Sequence, residues 1–175
     1  MGEYQKQREV KLFCGILYSD KDTYNKAINI LEEEFSKIDF ITDESEFSYT
    51  SYYVPEMGEK IFRLYISFSK LILPYKLAEI KKRTNEIENY FKIDGKRKIN
   101  IDAGYISLSN LVLATTKNYS HRVAISPEIY AEVTLIFRNN SFLPLPWTYP
   151  DYKDPKNISS FVKIRDILLK QIKNN

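Results

Sequence analysis

The sequence predicts an α+β fold: a mostly antiparallel sheet of ferredoxin-like, βαββαβ, order with a β-hairpin and a helix added at its C-terminal end. Three observations lead there. Apolar residues alternate at period two in some short runs and recur at helical spacing in others. The order of those runs is β-α-β-β-α-β over the first two thirds of the chain. Apolar residues make up 43% of the 175, enough to build a core. One domain is expected over 1–175, with a core at about 8–102 and an elaboration at about 103–175.

The apolar run "VKLFCGILYS" (10–19) reads as a central strand buried on both faces. Ser19, Asp20 and Asp22 offer N-caps for a helix whose face carries Tyr24, Ala27, Ile28, Leu31, Phe35 and Ile38. "SEFSYTSYYV" (45–54), rich in Tyr, Thr and Ser, reads as a strand that Pro55 stops. "KIFRLYISF" sets Phe62, Leu64, Ile66 and Phe68 against Arg63, Tyr65 and Ser67, and completes a hairpin with it. Pro74 opens a second helix, striped by Leu77, Ile80, Thr84, Ile87 and Phe91, which "DGKRK" breaks. "KINID" (98–102) is the next strand, with Ile99 and Ile101 inward.

Beyond this point the pattern is looser. "SLSNLVLATT" fits a short helix capped by Ser107 or a strand, and the helix is preferred. "HRVAI" and "IYAEVTLIFR" read as strands; in the second, Glu132 shares a face with Tyr130 and Thr134, opposite Val133 and Leu135. "NNS" turns the chain toward "FLPLPW", and the prolines of "WTYPDYKDP" exclude regular structure there. A last amphipathic helix runs from about Asn157.

The net charge of +3 gives no strong pull toward nucleic acid or an anionic membrane, and argues against both as partners. One cysteine, Cys14, in an apolar run reads as a buried small hydrophobe. With one histidine beside it in the composition, it supplies no zinc ligand set, and no metal site is expected. The N-terminal stretch lacks a signal-peptide apolar region, so a cytoplasmic location is expected. P-loop, G-x-G-x-x-G, H-E-x-x-H and G-x-S-x-G patterns are missing, and the sequence leaves the cofactor unknown.

Three stretches hold the polar groups that chemistry needs. In "ATTKNYSHRV", the side chains of Thr115, Thr116, Lys117, Tyr119, Ser120 and Arg122 are donors suited to phosphate or carboxylate, and His121 is a candidate general acid or base. The bland alternative is a loop capping the end of the 107–115 helix, with Lys117 in its last turn. In "INIDAGYISLS", Asn100 and Asp102 face away from Ile99 and Ile101. Asp102 could orient a histidine or hold a cation, or serve as a turn residue at the strand end. In "YAEVTLIF", a buried Glu132 would need Arg122, Lys117 or Arg138 as partner. Trp147 and Tyr149 sit in an aromatic, Pro-rich loop able to cover a ligand or simply the core.

Together, "VKLFCGILYSD", "YTSYYVPEMG", "NIDAGYISLSNLVLATTKNYSHRV", "IYAEVTLIF" and "FLPLPWTYPDY" resemble a prokaryotic family catalogued as domain of unknown function four-four-one-six. The resemblance spans nearly the whole chain and implies membership without a mechanism. Some relatives carry a loose GTP-binding label; this sequence has neither a P-loop nor the N-K-x-D guanine motif.

The expectation is therefore a site for a small phosphorylated or carboxylated ligand. Lys117 and Arg122 would hold the anion together with His121, Asp102 or Glu132 would act as base or orient His121, and Tyr130, Trp147 and Tyr149 would line or cover the ligand. Whether such a site is catalytic stays open. The alternatives are an interaction or homo-oligomerisation module built on "YTSYYV" and the Pro-rich loop, and RNA binding on the sheet.

Overall fold

A computed structural model of the chain describes residues 2–3 and 5–174. Its first strand, β1 (Val10–Tyr18), is buried along its entire length, as the apolar run requires. Asp20 caps α1 (Lys21–Glu34) by accepting from the Thr23 backbone N–H at 2.7 Å. Then come β2 (Ile38–Ile41), β3 (Ser45–Glu46), the one-turn helix α2 (Val54–Met57) and the long β4 (Phe62–Ile72). Next are α3 (Leu77–Tyr90), β5 (Ile99–Ile106), β6 (Asn110–Thr115), β7 (Val123–Ala124), β8 (Tyr130–Arg138) and β9 (Ser141–Pro144). The helices α4 (Pro150–Lys153) and α5 (Pro155–Asn174) close the chain.

Among the described residues these strands form one open sheet in the order β2-β4-β1-β5-β6-β8-β7, with β3 on β4 and β9 on β8. Every named pair is antiparallel. The α+β expectation with a mostly antiparallel sheet is met. α1 and α3 cover one face, where Leu12, Cys14, Ile16, Leu64, Ile66 and Phe68 pack against Ala27, Leu31, Ile80 and Ile87. α4 and α5 cover the other, setting Tyr152, Phe161 and Ile164 on Phe13, Tyr65, Ile106 and Leu111.

Several expectations are corrected. The stretch 45–54 is not a strand beyond Glu46. β4 has β1 along one edge, and β2 with β3 use up the other as far as Phe62. The Phe47 N–H still donates to the Ile61 carbonyl at 2.8 Å, but beyond it the chain has no edge left to pair with, and it arches over the end of the sheet. The preferred helix at 107–115 is strand β6. Leu111 and Leu113 face one layer of the core, Val112 and Ala114 the other, so a continuous apolar run marked a doubly covered strand. Ser107 starts a tight turn instead: its hydroxyl accepts from the backbone N–H groups of Ser109 and Asn110 at 3.1 and 3.0 Å. With no helix there, Lys117 caps none.

Asp102 lies in the middle of β5, not at a strand end, so its turn reading falls. "HRVAI" contributes only Val123 and Ala124 to the sheet. Pro150 and Pro155 open α4 and α5 instead of excluding helix, because the first helical position needs no N–H partner. Simple alternation also fails in β8. Leu111 pairs with Leu135 but Val112 with Val133, which leaves Thr134 as an extra, bulged residue. The bulge brings Glu132, opposite Leu113, onto the same face as Leu135.

Asn139 and Asn140, both at positive φ (52° and 61°), form the two-residue β8–β9 hairpin. No helix among the described residues is long and apolar enough to cross a membrane.

A candidate ionic cavity where the sheet parts

β5 pairs with β6 only through Gly104, Tyr105 and Ile106 against Leu113, Val112 and Leu111. Beyond Gly104 the two strands separate. The exposed edge of β5 is completed by side chains of α3: Lys81 Nζ donates to the Ile101 carbonyl at 2.8 Å, and the Ile101 N–H donates to Glu88 Oε1 at 2.8 Å. A buried edge must find such partners or lose the full desolvation cost of its backbone groups. Lys81 and Glu88 each fall four residues after a stripe position, Leu77 and Thr84, so they point to the sheet and not to water.

Over this parting lies a cavity of about 560 Å³. Arg63 on β4 and Asp102 on β5 border it on the sheet side, joined by Leu113 and Glu132. The arch contributes Phe47, Tyr49, Tyr52 and Tyr53, and the loop before α4 contributes Tyr149. The size is in the range of small-molecule sites, about 300–1,000 Å³.

Arg63 organises the floor. Its Nε and Nη2 donate to Asp151 Oδ2 at 2.9 and 2.5 Å, and its Nη1 donates to Asp102 Oδ2 at 3.0 Å. Burial works against the guanidinium, but Tyr65 and the carboxylates of Asp151 and Asp102 more than restore it, so it stays charged. The Asp102 carboxyl is likewise pushed up by burial and pulled down further by Arg63 and Lys81, leaving it below the usual carboxylate range. Its Oδ1 accepts from Asn100 Nδ2 at 2.9 Å. Its side chain keeps 29% exposure, against 4% for Arg63 and 5% for Asp151. Glu88 behaves in the opposite way: burial is the larger influence and raises its pKa despite Lys81. Arg97 forks onto Glu56 at 2.8 and 2.7 Å and reaches the Asn100 amide oxygen at 2.8 Å.

Tyr152, from α4, is 1% exposed and stacks on Phe161. Among the described residues its hydroxyl has no hydrogen-bond partner. Such an orphan costs about 1–3 kcal/mol. A Cβ built at Gly15 would stand 2.7 Å from this oxygen and 3.1 Å from Arg63 Nη1. Gly15 is thus the only kind of residue that lets the strand pass under both groups.

The stretch 115–122 divides between the cavity and its support. Thr115, Thr116 and Lys117 border the cavity, and Lys117 Nζ donates to the Tyr52 hydroxyl at 2.9 Å. That bond lowers the Tyr52 pKa. His121 and Arg122 do not border it; both bind Glu132, at 3.1 and 2.7 Å to Oε2. Arg122 also donates to the Tyr149 hydroxyl at 2.8 Å and to the Lys117 carbonyl at 3.0 Å, tying wall to wall. The His121 ring stacks on Trp147 at 4.9 Å and 9°, outside the cavity. Tyr119 and Ser120 face solvent, and Tyr130 is half-buried away from the cavity. Trp147 spends its indole N–H on the Val133 carbonyl at 2.8 Å.

The three sequence stretches therefore converge, but on different terms. Asp102, Glu132, Thr115, Thr116, Lys117 and Tyr149 meet at one cavity, while His121, Arg122 and Trp147 brace it from behind. Sequence reasoning missed Arg63, Asp151, Lys81, Glu88 and Arg97. Arg63 carried a signal, being the one cation inside the alternating run 61–68; Lys81 and Glu88 carried one in their helical spacing. Asp151 and Arg97 carried none. Among the described residues, no group of three or more His, Cys, Asp or Glu side chains is placed to hold a metal ion.

The molecule is thus an α+β protein with an ionic cavity at the parting of its sheet. A family model described as a domain of unknown function, DUF4416, matches residues 8–168, and the chain belongs to that family. No curated protein and no solved structure matches it.

Proposed function

We propose that the cavity binds, or acts on, a small phosphorylated or carboxylated compound. One observation carries the reading. Arg63, Lys81 and Arg97 each face a carboxylate, whereas among the described residues the ammonium of Lys117 at the cavity mouth meets only a phenol. Below it five carboxylates, Asp102, Asp151, Glu88, Glu56 and Glu132, share four cations, Arg63, Lys81, Arg97 and Arg122, so among the described residues of the cavity Lys117 is the cation not already held by a carboxylate. The tyrosines of the arch supply flat apolar surface beside it.

The alternatives fare less well. The arch tyrosines that an oligomerisation surface would use, Tyr49, Tyr52 and Tyr53, border the cavity, and Tyr52 holds Lys117. RNA binding on the sheet would need an open face, and helices cover both. The ferredoxin-like part of the fold is also our reading: the order β2-β4-β1-β5, with α1 and α3 as crossovers, supports it for the first half of the sheet.

The test is a thermal-shift screen of the full chain against phosphorylated and carboxylated metabolites. A rise in Tm that Lys117→Met abolishes and His121→Ala retains is the expected result. No shift with any compound, or a shift indifferent to Lys117, would sink the proposal.

A further inference from the structure

Resting on that reading, we infer that the ligand is a hydroxyl-bearing phosphate ester of sugar-phosphate size, whose hydroxyls are read by the cavity floor through Asp102, Asn85 and the Tyr152 hydroxyl. The argument begins with unspent hydrogen-bonding capacity. Each oxygen of Asp102 accepts one bond within the protein, from Arg63 and from Asn100, and a carboxylate oxygen takes two. Of the carboxylates bordering the cavity, Glu88, Glu132 and Asp151 are nearly sealed, with side-chain exposures of 7%, 1% and 5%. Asp102 alone keeps a substantial open surface among them.

The amide of Asn85, half-buried on the wall, makes no hydrogen bond to any described residue. The Tyr152 hydroxyl has none either; it lies sealed beneath the cavity wall, packed over Gly15, so a ligand hydroxyl meets it by displacing the wall above it. Acceptor, amide and hydroxyl with vacancies make a surface complementary to hydroxyl groups, which both donate and accept. The ligand's anionic group is not called for at the floor, because one cation there, Arg63, already serves two carboxylates, Asp102 and Asp151.

The remaining parts fit the same class. The partly exposed rings of Tyr49 and Tyr149 border the cavity, and aromatic rings of this kind stack on the C–H side of a sugar ring. Lys117, exposed at the mouth, is placed for the phosphate, so the ligand lies with its charged end outward and its hydroxyls inward. An orphaned buried hydroxyl is what a site looks like when its last partner arrives with the ligand.

The experiment is isothermal titration of the full chain with inorganic phosphate, ribose, glucose, ribose 5-phosphate and glucose 6-phosphate. At least one sugar phosphate is expected to bind tenfold or more tightly than inorganic phosphate. Tyr152→Phe, which removes only the unpartnered oxygen, and Asp102→Asn are each expected to erase that increment. Inorganic phosphate should bind both variants as it binds the parent, and Lys117→Met should weaken every anion. Tyr152→Phe keeps the ring in place, so its Tm should equal or exceed that of the parent, which separates lost recognition from lost folding. Sugar phosphates no tighter than inorganic phosphate, or an increment that survives Tyr152→Phe and Asp102→Asn, would overturn this inference and leave the anion site standing. No binding of any phosphate by the parent protein would overturn this inference and the phosphate half of the anion reading.

Discussion

On the face covered by α1 and α3, β1 contributes Leu12, Cys14, Ile16 and Tyr18; on the other, the same strand contributes Lys11, Phe13, Gly15 and Leu17. The neighbouring strands repeat the contrast. β4 sets Leu64, Ile66 and Phe68 against Arg63, Tyr65 and Ser67, and β5 sets Ile99, Ile101 and Ala103 against Asn100 and Asp102. The first face is a hydrocarbon layer held by area. The second is held at its cavity end by charges that must all find one another. Even the fully buried Lys11 on this face is matched, by Asp39 and by the Gln171 side chain at 2.7 Å. The lesson is that one sheet can stabilise the chain through one side and keep the other for polar work.

The sharpest way to break the contrast is Arg63→Met. Removing the cation leaves Asp151 buried without its partner, and a loss of about 3–5 kcal/mol in chemical denaturation is expected. The matching change on the apolar face, Ile66→Val, should cost only about 0.5–1.5 kcal/mol. If the two costs proved equal, the ionic floor would not be the tightly coupled unit described above.

Acid sensitivity should also separate neighbours. The Asp102 pKa is lowered in the fold, so its contribution is complete above the unfolded value, about 3.9, and fades as pH falls through the lower folded one. Asp102→Asn should therefore flatten the acid limb of the stability curve. The Glu88 pKa is raised, so its contribution is complete below the unfolded value, about 4.3, and fades as pH rises through the folded one. Glu88→Gln should gain ground relative to the parent as pH rises. Urea midpoints collected across the acidic range would show whether the two variants diverge in these opposite directions.

A smaller effect concerns the apolar face. Burial pushes the Cys14 thiol up to about 12, so alkylating reagents should label it only after unfolding. Mass spectrometry of native and denatured protein reads this directly; rapid native labelling would contradict the sealed layer. The smallest change in stability is expected from Lys117→Met, within about 0.5 kcal/mol by denaturant titration, because the side chain is exposed. Its effect belongs to anion binding instead.

Much of the apolar face was legible. Period-two alternation in "KIFRLYISF" and the unbroken run of β1 report burial directly, and the stripe of α3 follows from its spacing. That 100–102, 115–117, 132 and 149 hold the polar groups was legible as well, because strongly polar residues in apolar settings demand partners; that they meet at one cavity was not. What was hidden depended on pairing. A bulge at Thr134 turned Glu132 to the cavity, and only the partner strand reveals a bulge. "SLSNLVLATT" has a period that fits helix and doubly buried strand alike. The fate of 47–53 hung on which edge of β4 was already taken, a fact no local pattern contains. His121 attracted notice as the lone imidazole, yet it braces Glu132 from outside the cavity while Arg63, hidden in a strand, stands at the centre.

The parting of β5 from β6 has a consequence for hydrogen exchange. Ile101 sits in the middle of the sheet, yet its amide proton is guarded by a glutamate side chain and its carbonyl by a lysine. A proton held between two strands is freed by unfolding them; this one is freed when Glu88 swings aside. Its exchange rate therefore reports on the cavity wall itself, and a ligand that settles over Lys81 and Glu88 would be registered as slowed exchange at a residue it need never touch.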